Sequence, residues 1–270
     1  MRMPSDLFLV RHGLSEANVV QKADKEGKPI TLTDDMVNAP DRSWRLTAKG
    51  EQQAQAIGEW LKSNTTHIDR FITSPYTRTR ETAAHLNIDY AQWEENRSVR
   101  ERYWGDIHPL PQTEFADTYP HNYLIKKIDP LYWVPPGGES LVSVAENRTR
   151  NVLEMLAREN SNETVLITTH GEFIWSCRLI LERWSDEEFV KNDKDPDFKV
   201  HNCLAVHYTS TNPVTLEKGT DLKWVRTAYP DYDEEKGEWI IVESPFVEFN
   251  RSYYSNTELL NKVHKLERFF

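Results

Sequence analysis

Apolar residues gather in short runs that stop abruptly at polar chemistry. Residues 7–10 read Leu-Phe-Leu-Val and lead into Arg11-His12-Gly13. Residues 164–169 read Thr-Val-Leu-Ile-Thr-Thr and lead into His170-Gly171, and Phe71-Ile72-Thr73 leads into Ser74-Pro75. Continuous runs of this length predict strands buried on both faces, as in a parallel sheet. Helical periods lie between them. Thr47 is a predicted N-cap for a helix over 48–62, with Ala54, Ile57, Gly58 and Leu61 on one face. A second helix is predicted from Ser74-Pro75 to about 86, with the proline in its first turn. A long amphipathic helix is predicted from about Ser140. It turns Leu141, Val144, Ala145, Val152, Met155 and Leu156 inward and leaves Arg148 at its edge. An apolar helix is predicted over 173–182.

Two stretches interrupt this alternation. Residues 20–45 are polar and irregular, with Gly27, Pro29 and Pro40, and predict a long surface excursion. Residues 88–136 are rich in aromatic residues and proline, with no sustained period, and end at Pro135-Pro136-Gly137-Gly138. They predict an insertion lying over the strand ends. From about 200 a C-terminal extension carries three runs, at 204–208, 223–226 and 239–242, that read as antiparallel strands, and 256–268 reads as a terminal helix. The expected architecture is a single domain over 1–270. It is α/β, a three-layer α/β/α sandwich with a mostly parallel central sheet and antiparallel strands added on the C-terminal side.

Composition narrows the partners. Hydrophobic residues make up 38% of the chain and nine are tryptophan, which fits a folded protein. Forty-three acids against 33 bases give a net charge of −10, which argues against nucleic acid or a membrane surface as partner. That balance leaves room for a small anion held by a local cluster of arginines. Only two cysteines occur, Cys177 in a helical pattern and Cys203 beside a strand. They make no disulfide framework, and a cytoplasmic location is expected. The first apolar run is too short for a signal-peptide core, and no stretch is long enough to span a membrane. His67, His85, His108, His121, His207 and His264 are scattered without metal-ligand spacing. No pattern sets the oligomeric state.

The candidate chemistry sits at the strand ends. The carboxyl ends of parallel strands lie along one edge, so His12 and His170, far apart in the chain, are expected to meet. A strand-to-helix turn aims backbone N–H groups at an anion, and Arg11 adds a fork that fits phosphate. A histidine there can act as nucleophile or proton carrier. The helix after the second strand brings Arg78 in its first turn; Arg80, two positions on, points elsewhere.

Several ordered blocks resemble the histidine phosphatase superfamily, which contains cofactor-dependent phosphoglycerate mutase (branch 1). They are Leu9-Val10-Arg11-His12-Gly13 with Ser15 and Asn18, Leu46-Thr47 with Gly50 and Gln53-Ala54, Ser74-Pro75-Tyr76-Thr77-Arg78, Val99-Arg100-Glu101-Arg102-Tyr103-Trp104-Gly105, Gly137-Gly138-Glu139-Ser140, and Thr169-His170-Gly171. The resemblance covers residues 6 to about 180. It implies that His12 is the nucleophile and becomes phosphohistidine, that Arg11, Arg78 and His170 hold the phosphoryl oxygens, and that Glu101 is the general acid. In a charged run the other reading of Glu101 is a solvated partner of Arg100 or Arg102. The resemblance further places Ser15, Asn18, Gly13, Gly171, Arg102 and Tyr103 beside phosphate or substrate, with no metal and no cofactor. Tyr103, Trp104, Trp133 and Trp175 are candidates for the cavity wall, and residues 201–203 precede a strand that can reach the site.

The expected activity is hydrolysis of a small phosphorylated metabolite through phosphohistidine. Two alternatives stand beside it. One is a bisphosphoglycerate-dependent mutase, although residues 105–110, Gly-Asp-Ile-His-Pro-Leu, do not resemble the mutase continuation. The other is a non-catalytic module that binds a phospho-ligand or a protein.

Overall fold

The computed structural model describes residues 2–28, 39–107, 112–250 and 252–263. The predicted strands form β1 (Asp6–Arg11), β2 (Arg70–Thr73) and β4 (Thr164–Thr169), and a short edge strand, β3 (Trp93–Glu95), joins them. These four run parallel. Beyond β1 the sheet turns antiparallel through β5 (Ala205–Thr209), β6 (Trp224–Asp233) and β7 (Glu238–Glu243), and β8 (Val247–Glu248) also pairs β6. The strand order is β3-β2-β4-β1-β5-β6-β7, so β1 and β4 are neighbours although most of the chain separates them.

Alternation along each strand splits the core in two. Leu7, Leu9, Val165, Ile167, Val206 and Tyr208 face one helical layer, and Phe8, Val10, Leu166 and Ala205 face the other. Chain order then gives α1 (Glu16–Lys25), α2 (Ala48–Asn64) and α3 (Thr77–His85), of which α2 covers the second face with Ala54, Ile57 and Leu61. The insertion carries α4 (Gln112–Thr118) and α5 (Pro120–Ile128). Helix α6 is built from Leu141–Val144, a π turn at Ala145–Thr149, and Arg150–Glu159. It packs the first face together with α7 (Gly171–Leu181). Two further helices are α8 (Asp186–Asp193) and α9 (Asn256–Val263).

Several boundaries move from those the sequence predicts. The excursion over 20–45 is helical as far as Lys25, because Ser15 and Asn18 close a capping box that starts α1; its residues 29–38 lie outside the described residues. Pro75 stands before α3, whose N-cap is Tyr76. The aromatic insertion begins later than 88, since β3 completes the parallel sheet first, and it holds two helices where no period was visible. Its core of Ile107, Phe115 and Trp133 packs its own aromatic rings, so the burial pattern follows no simple repeat. In α6 Arg148 lies inside rather than at the predicted edge: four residues after Val144 and four before Val152, it falls on the buried face and is 7% exposed. The terminal helix ends its described part at Val263.

Candidate active site

The site lies where β1, β2 and β4 end. The His12 amide donates to the Thr169 carbonyl (3.0 Å), so the two histidine-bearing strand ends are held side by side. Their rings meet edge to face with centroids 5.3 Å apart. His12 Nδ1 lies 2.8 Å from the Gly13 carbonyl oxygen. A carbonyl only accepts, so Nδ1 carries the proton and Nε2 keeps its lone pair. Burial, then the Arg78 and Arg11 guanidiniums, hold this imidazole well below the usual histidine range.

Gly13 and Gly50 let the histidine loop touch the first turn of α2: a Cβ on either would collide with the facing backbone. The Gly13 amide donates to Thr82 Oγ1 (3.0 Å), tying the loop to α3. Ser15 and Asn18 close the capping box that starts α1, as Asn18 N donates to Ser15 Oγ. Asn202 Nδ2 donates to both the His12 carbonyl (3.3 Å) and Asn18 Oδ1 (3.0 Å). Of residues 201–203, then, Asn202 braces the histidine loop, while His201 stacks on Tyr229.

His170 is fully buried, and its Nε2 lies 2.8 Å from the Ser74 hydroxyl. Its Nδ1 has no partner, and neither does Arg11 Nε. Both atoms lie by the start of α7, where no side chain caps the helix and Gly171 leaves Arg11 Nε a clear approach. Unpaired buried nitrogens at an open helix N-terminus fit an anion. Burial is again the first cause, followed by Arg78, that pulls the His170 ring well below its ordinary range. The two guanidiniums therefore carry the site's positive charge, and His170 enters as a neutral ring.

Arg78 is buried in the first turn of α3, as predicted, and Arg80 turns away to Glu95. The Arg78 guanidinium donates to the Asp41 carbonyl (2.8 Å) and to the Asp41 carboxylate (3.2 Å). Asp41 falls in the polar stretch whose pattern carried no signal for it.

Glu101 stands on a strap over residues 98–104 that leaves a 3-10 turn at Arg97–Val99 and is fastened to the sheet by Thr169 Oγ1 donating to the Val99 carbonyl (2.6 Å). Burial, then the nearby Glu172 carboxylate, push its carboxyl up to about 7, against the opposing pull of Arg78 and Arg11. It is thus not the solvated partner of its neighbouring arginines. Arg102 is 4% exposed, and its guanidinium is held by Glu172 (3.0 Å) and the Trp133 carbonyl (3.0 Å) and lies over the Trp104 ring. Tyr103 is 57% exposed. Beyond Arg102 and Glu172 opens a cavity of about 380 Å³, lined by Trp104, Trp133, Trp175 and the Lys126, Lys127 and Lys194 side chains. Ser74, Asp41 and Glu172 are the residues that sequence reasoning passed over. Only Ser74 had a signal, its place at a strand end.

Neighbouring parallel strand ends, an open helix N-terminus, two guanidiniums and two adjacent imidazoles make this an α/β protein with a strand-end site suited to an anion. The family model for the histidine phosphatase superfamily (branch 1) matches residues 7–209, and the chain belongs to that superfamily. Its members are phosphatases or mutases that act through phosphohistidine. The chain is 30% identical over 200 residues to a 2,3-bisphosphoglycerate-dependent phosphoglycerate mutase of Parvibaculum lavamentivorans, covering 70% of this chain and 85% of that one. It is 26% identical over 176 residues to 6-phosphofructo-2-kinase/fructose-2,6-bisphosphatase 3 of Rattus norvegicus, covering 65% of this chain. The chain spans only 27% of that bifunctional relative and 34% of the one from Gallus gallus. A putative α-ribazole-5'-P phosphatase from Escherichia coli shares the fold, with a TM-score of 0.61 at 19% identity over 81% of this chain and 97% of that one. No helix among the described residues is long and apolar enough to cross a membrane.

Proposed function

We propose that the protein is a metal-independent phosphomonoesterase that hydrolyses a small phosphorylated metabolite through a phosphohistidine at His12. One observation carries the reading. A neutral imidazole with its Nε2 lone pair free shares a pocket with two guanidiniums and with a carboxyl that titrates near 7.

Arg11, Arg78, His170 and the first amides of α7 bind the phosphoryl oxygens and spread the charge that builds on them. His12 Nε2 attacks phosphorus, the bond to the leaving oxygen breaks, and Glu101 gives that oxygen its proton. Water then attacks the phosphohistidine while Glu101, now a carboxylate, takes the water's proton. His12 and the acid form of Glu101 are regenerated and inorganic phosphate leaves. The leaving group extends from Glu101 past Arg102 toward the 380 Å³ cavity, whose lysines suit an anionic body.

Arg78 must exchange Asp41 for phosphoryl oxygens. Asp41→Asn removes the competing charge and is expected to tighten inhibition by vanadate several-fold. Weaker inhibition in that variant would mean that Asp41 orients Arg78 instead.

The activity is tested by phosphate release from a panel of sugar phosphates, phosphoglycerates, phosphoserine and nucleotides, with and without a chelator. Chelator-resistant release supports the reading, and the preferred ester identifies the leaving group. The 30% identity to a phosphoglycerate mutase gives a second reading. Isomerisation of phosphoglycerate that depends on a bisphosphate primer, without net phosphate release, would replace hydrolysis by mutase activity.

A further inference from the structure

The block Gly137-Gly138-Glu139-Ser140 and the buried Arg148 have no part in the steps above, yet both close on the segment that carries Glu101. Gly138 admits the strap so closely that a Cβ there would lie 2.5 Å from the Tyr103 carbonyl oxygen. Tyr103 then pairs with Glu139 twice. Its amide donates to Glu139 Oε2 (2.9 Å), and its carbonyl accepts from the Glu139 amide (2.8 Å). The Glu139 carbonyl accepts from Arg102 Nε (2.6 Å), and Glu139 Oε1 accepts from Arg100 Nη2 (3.3 Å).

Arg148 holds the same strap and is itself paired with Glu139. Its Nη1 donates to the Ser98 carbonyl (3.1 Å) and the Arg100 carbonyl (2.9 Å). Its Nη2 donates to the Glu101 carbonyl (3.4 Å) and to Glu139 Oε2 (3.0 Å). Every carbonyl from 98 to 103 except that of Arg102 is thus tied to Arg148, Thr169 or Glu139.

This arrangement is costly. It buries a guanidinium and leaves Arg148 Nε without a partner. A side chain that only filled space there could be apolar. Three donations to the backbone around one carboxyl, and a fourth to the Glu139 carboxylate, serve placement.

We propose that the paired Glu139 and Arg148 form a clasp that positions the Glu101 carboxyl for proton delivery to the leaving oxygen. Both are positioning residues, since neither touches the reacting atoms, and the inference rests on Glu101 being the general acid. A displaced acid harms only those esters whose leaving oxygen needs a proton. p-Nitrophenolate leaves without one; the alkoxide of glycerol does not.

The experiment measures kcat and KM on 2-glycerol phosphate and p-nitrophenyl phosphate for wild type, Arg148→Met, Arg148→Lys and Glu139→Gln. Arg148→Met is expected to lose ~10²-fold in kcat on the alkyl ester and under ~3-fold on the aryl ester, with KM little changed. Arg148→Lys, which keeps the cation and can still donate to the strap, recovers part of the loss. Glu139→Gln shows the same selectivity at about a tenfold loss on the alkyl ester, and it decides the matter if Arg148→Met does not fold. Equal losses on both esters, a change in KM alone, or no change in the folded variants overturns the clasp. Failure of the parent reading looks different. Wild type then releases phosphate from neither ester, or releases it undiminished after His12→Ala or Glu101→Gln, and the clasp falls with it.

Discussion

His12→Ala is expected to release phosphate at no more than ~10⁻⁴ of the wild-type rate. The substitution removes the nucleophile and leaves the arginines in place, so phosphate and vanadate still bind. What remains is direct attack by an unplaced water on an ester held by Arg11 and Arg78. That route keeps charge stabilisation and loses the oriented in-line nucleophile. A second readout is covalent. Wild type quenched in alkali during turnover holds protein-bound phosphate that is lost in acid, as a phosphoramidate is, and the variant holds none. Turnover near the wild-type rate would remove His12 from the mechanism, and labelled phosphate retained by the variant would place the intermediate elsewhere. The ring's own titration does not limit the rate at neutral pH, because burial and the two guanidiniums favour its neutral form.

The second large effect is at Glu101. Glu101→Gln is expected to cost ~10²–10⁴-fold in kcat on alkyl esters and far less on p-nitrophenyl phosphate. The pH profile gives the sign. The acid form donates the proton, so wild-type kcat/KM falls as pH rises through about 7, and Glu101→Gln lacks that basic limb. A wild-type profile that is flat from 6 to 8.5 would contradict the assignment.

Stability moves the opposite way. A carboxyl raised from 4.5 to about 7 on folding makes the folded state bind the extra proton. Its contribution is therefore neutral below the unfolded value, grows destabilising as pH rises from there, and is complete above the folded one. Glu101→Gln should melt above wild type at pH 8 and match it at pH 4. An active-site acid kept at a cost to the fold is the expected form of such a trade. Equal melting temperatures at pH 8 would mean that the carboxyl is not desolvated.

The sheet was readable because its strands are apolar on both faces. A run such as 164–169 leaves no choice of which side is buried. Helix α2 was readable from Thr47 and a regular apolar stripe, and Arg78 from its place in the first turn of α3. The insertion was not readable, because α4, α5 and the rings of Phe115, Trp104 and Trp133 pack chiefly on one another. A satellite core of that kind sets no period against the main sheet. β3 escaped for a simpler reason: three residues at an exposed edge carry no alternation to detect.

By itself, then, the sequence determined which residue types end each parallel strand. A parallel sheet aligns its carboxyl ends, so that was enough to bring Arg11, His12, Ser74, Arg78 and His170 to one edge. Tertiary structure decided protonation and placement, which depend on neighbours remote in the chain. The Gly13 carbonyl chooses the His12 tautomer, Asp41 occupies Arg78, and burial beside Glu172 raises the Glu101 carboxyl to about 7. The spacing of Arg148 from Val144 and Val152 admits it to the buried face of α6, but its charge argued for the edge, and only the strap carbonyls packed there decide that it points inward.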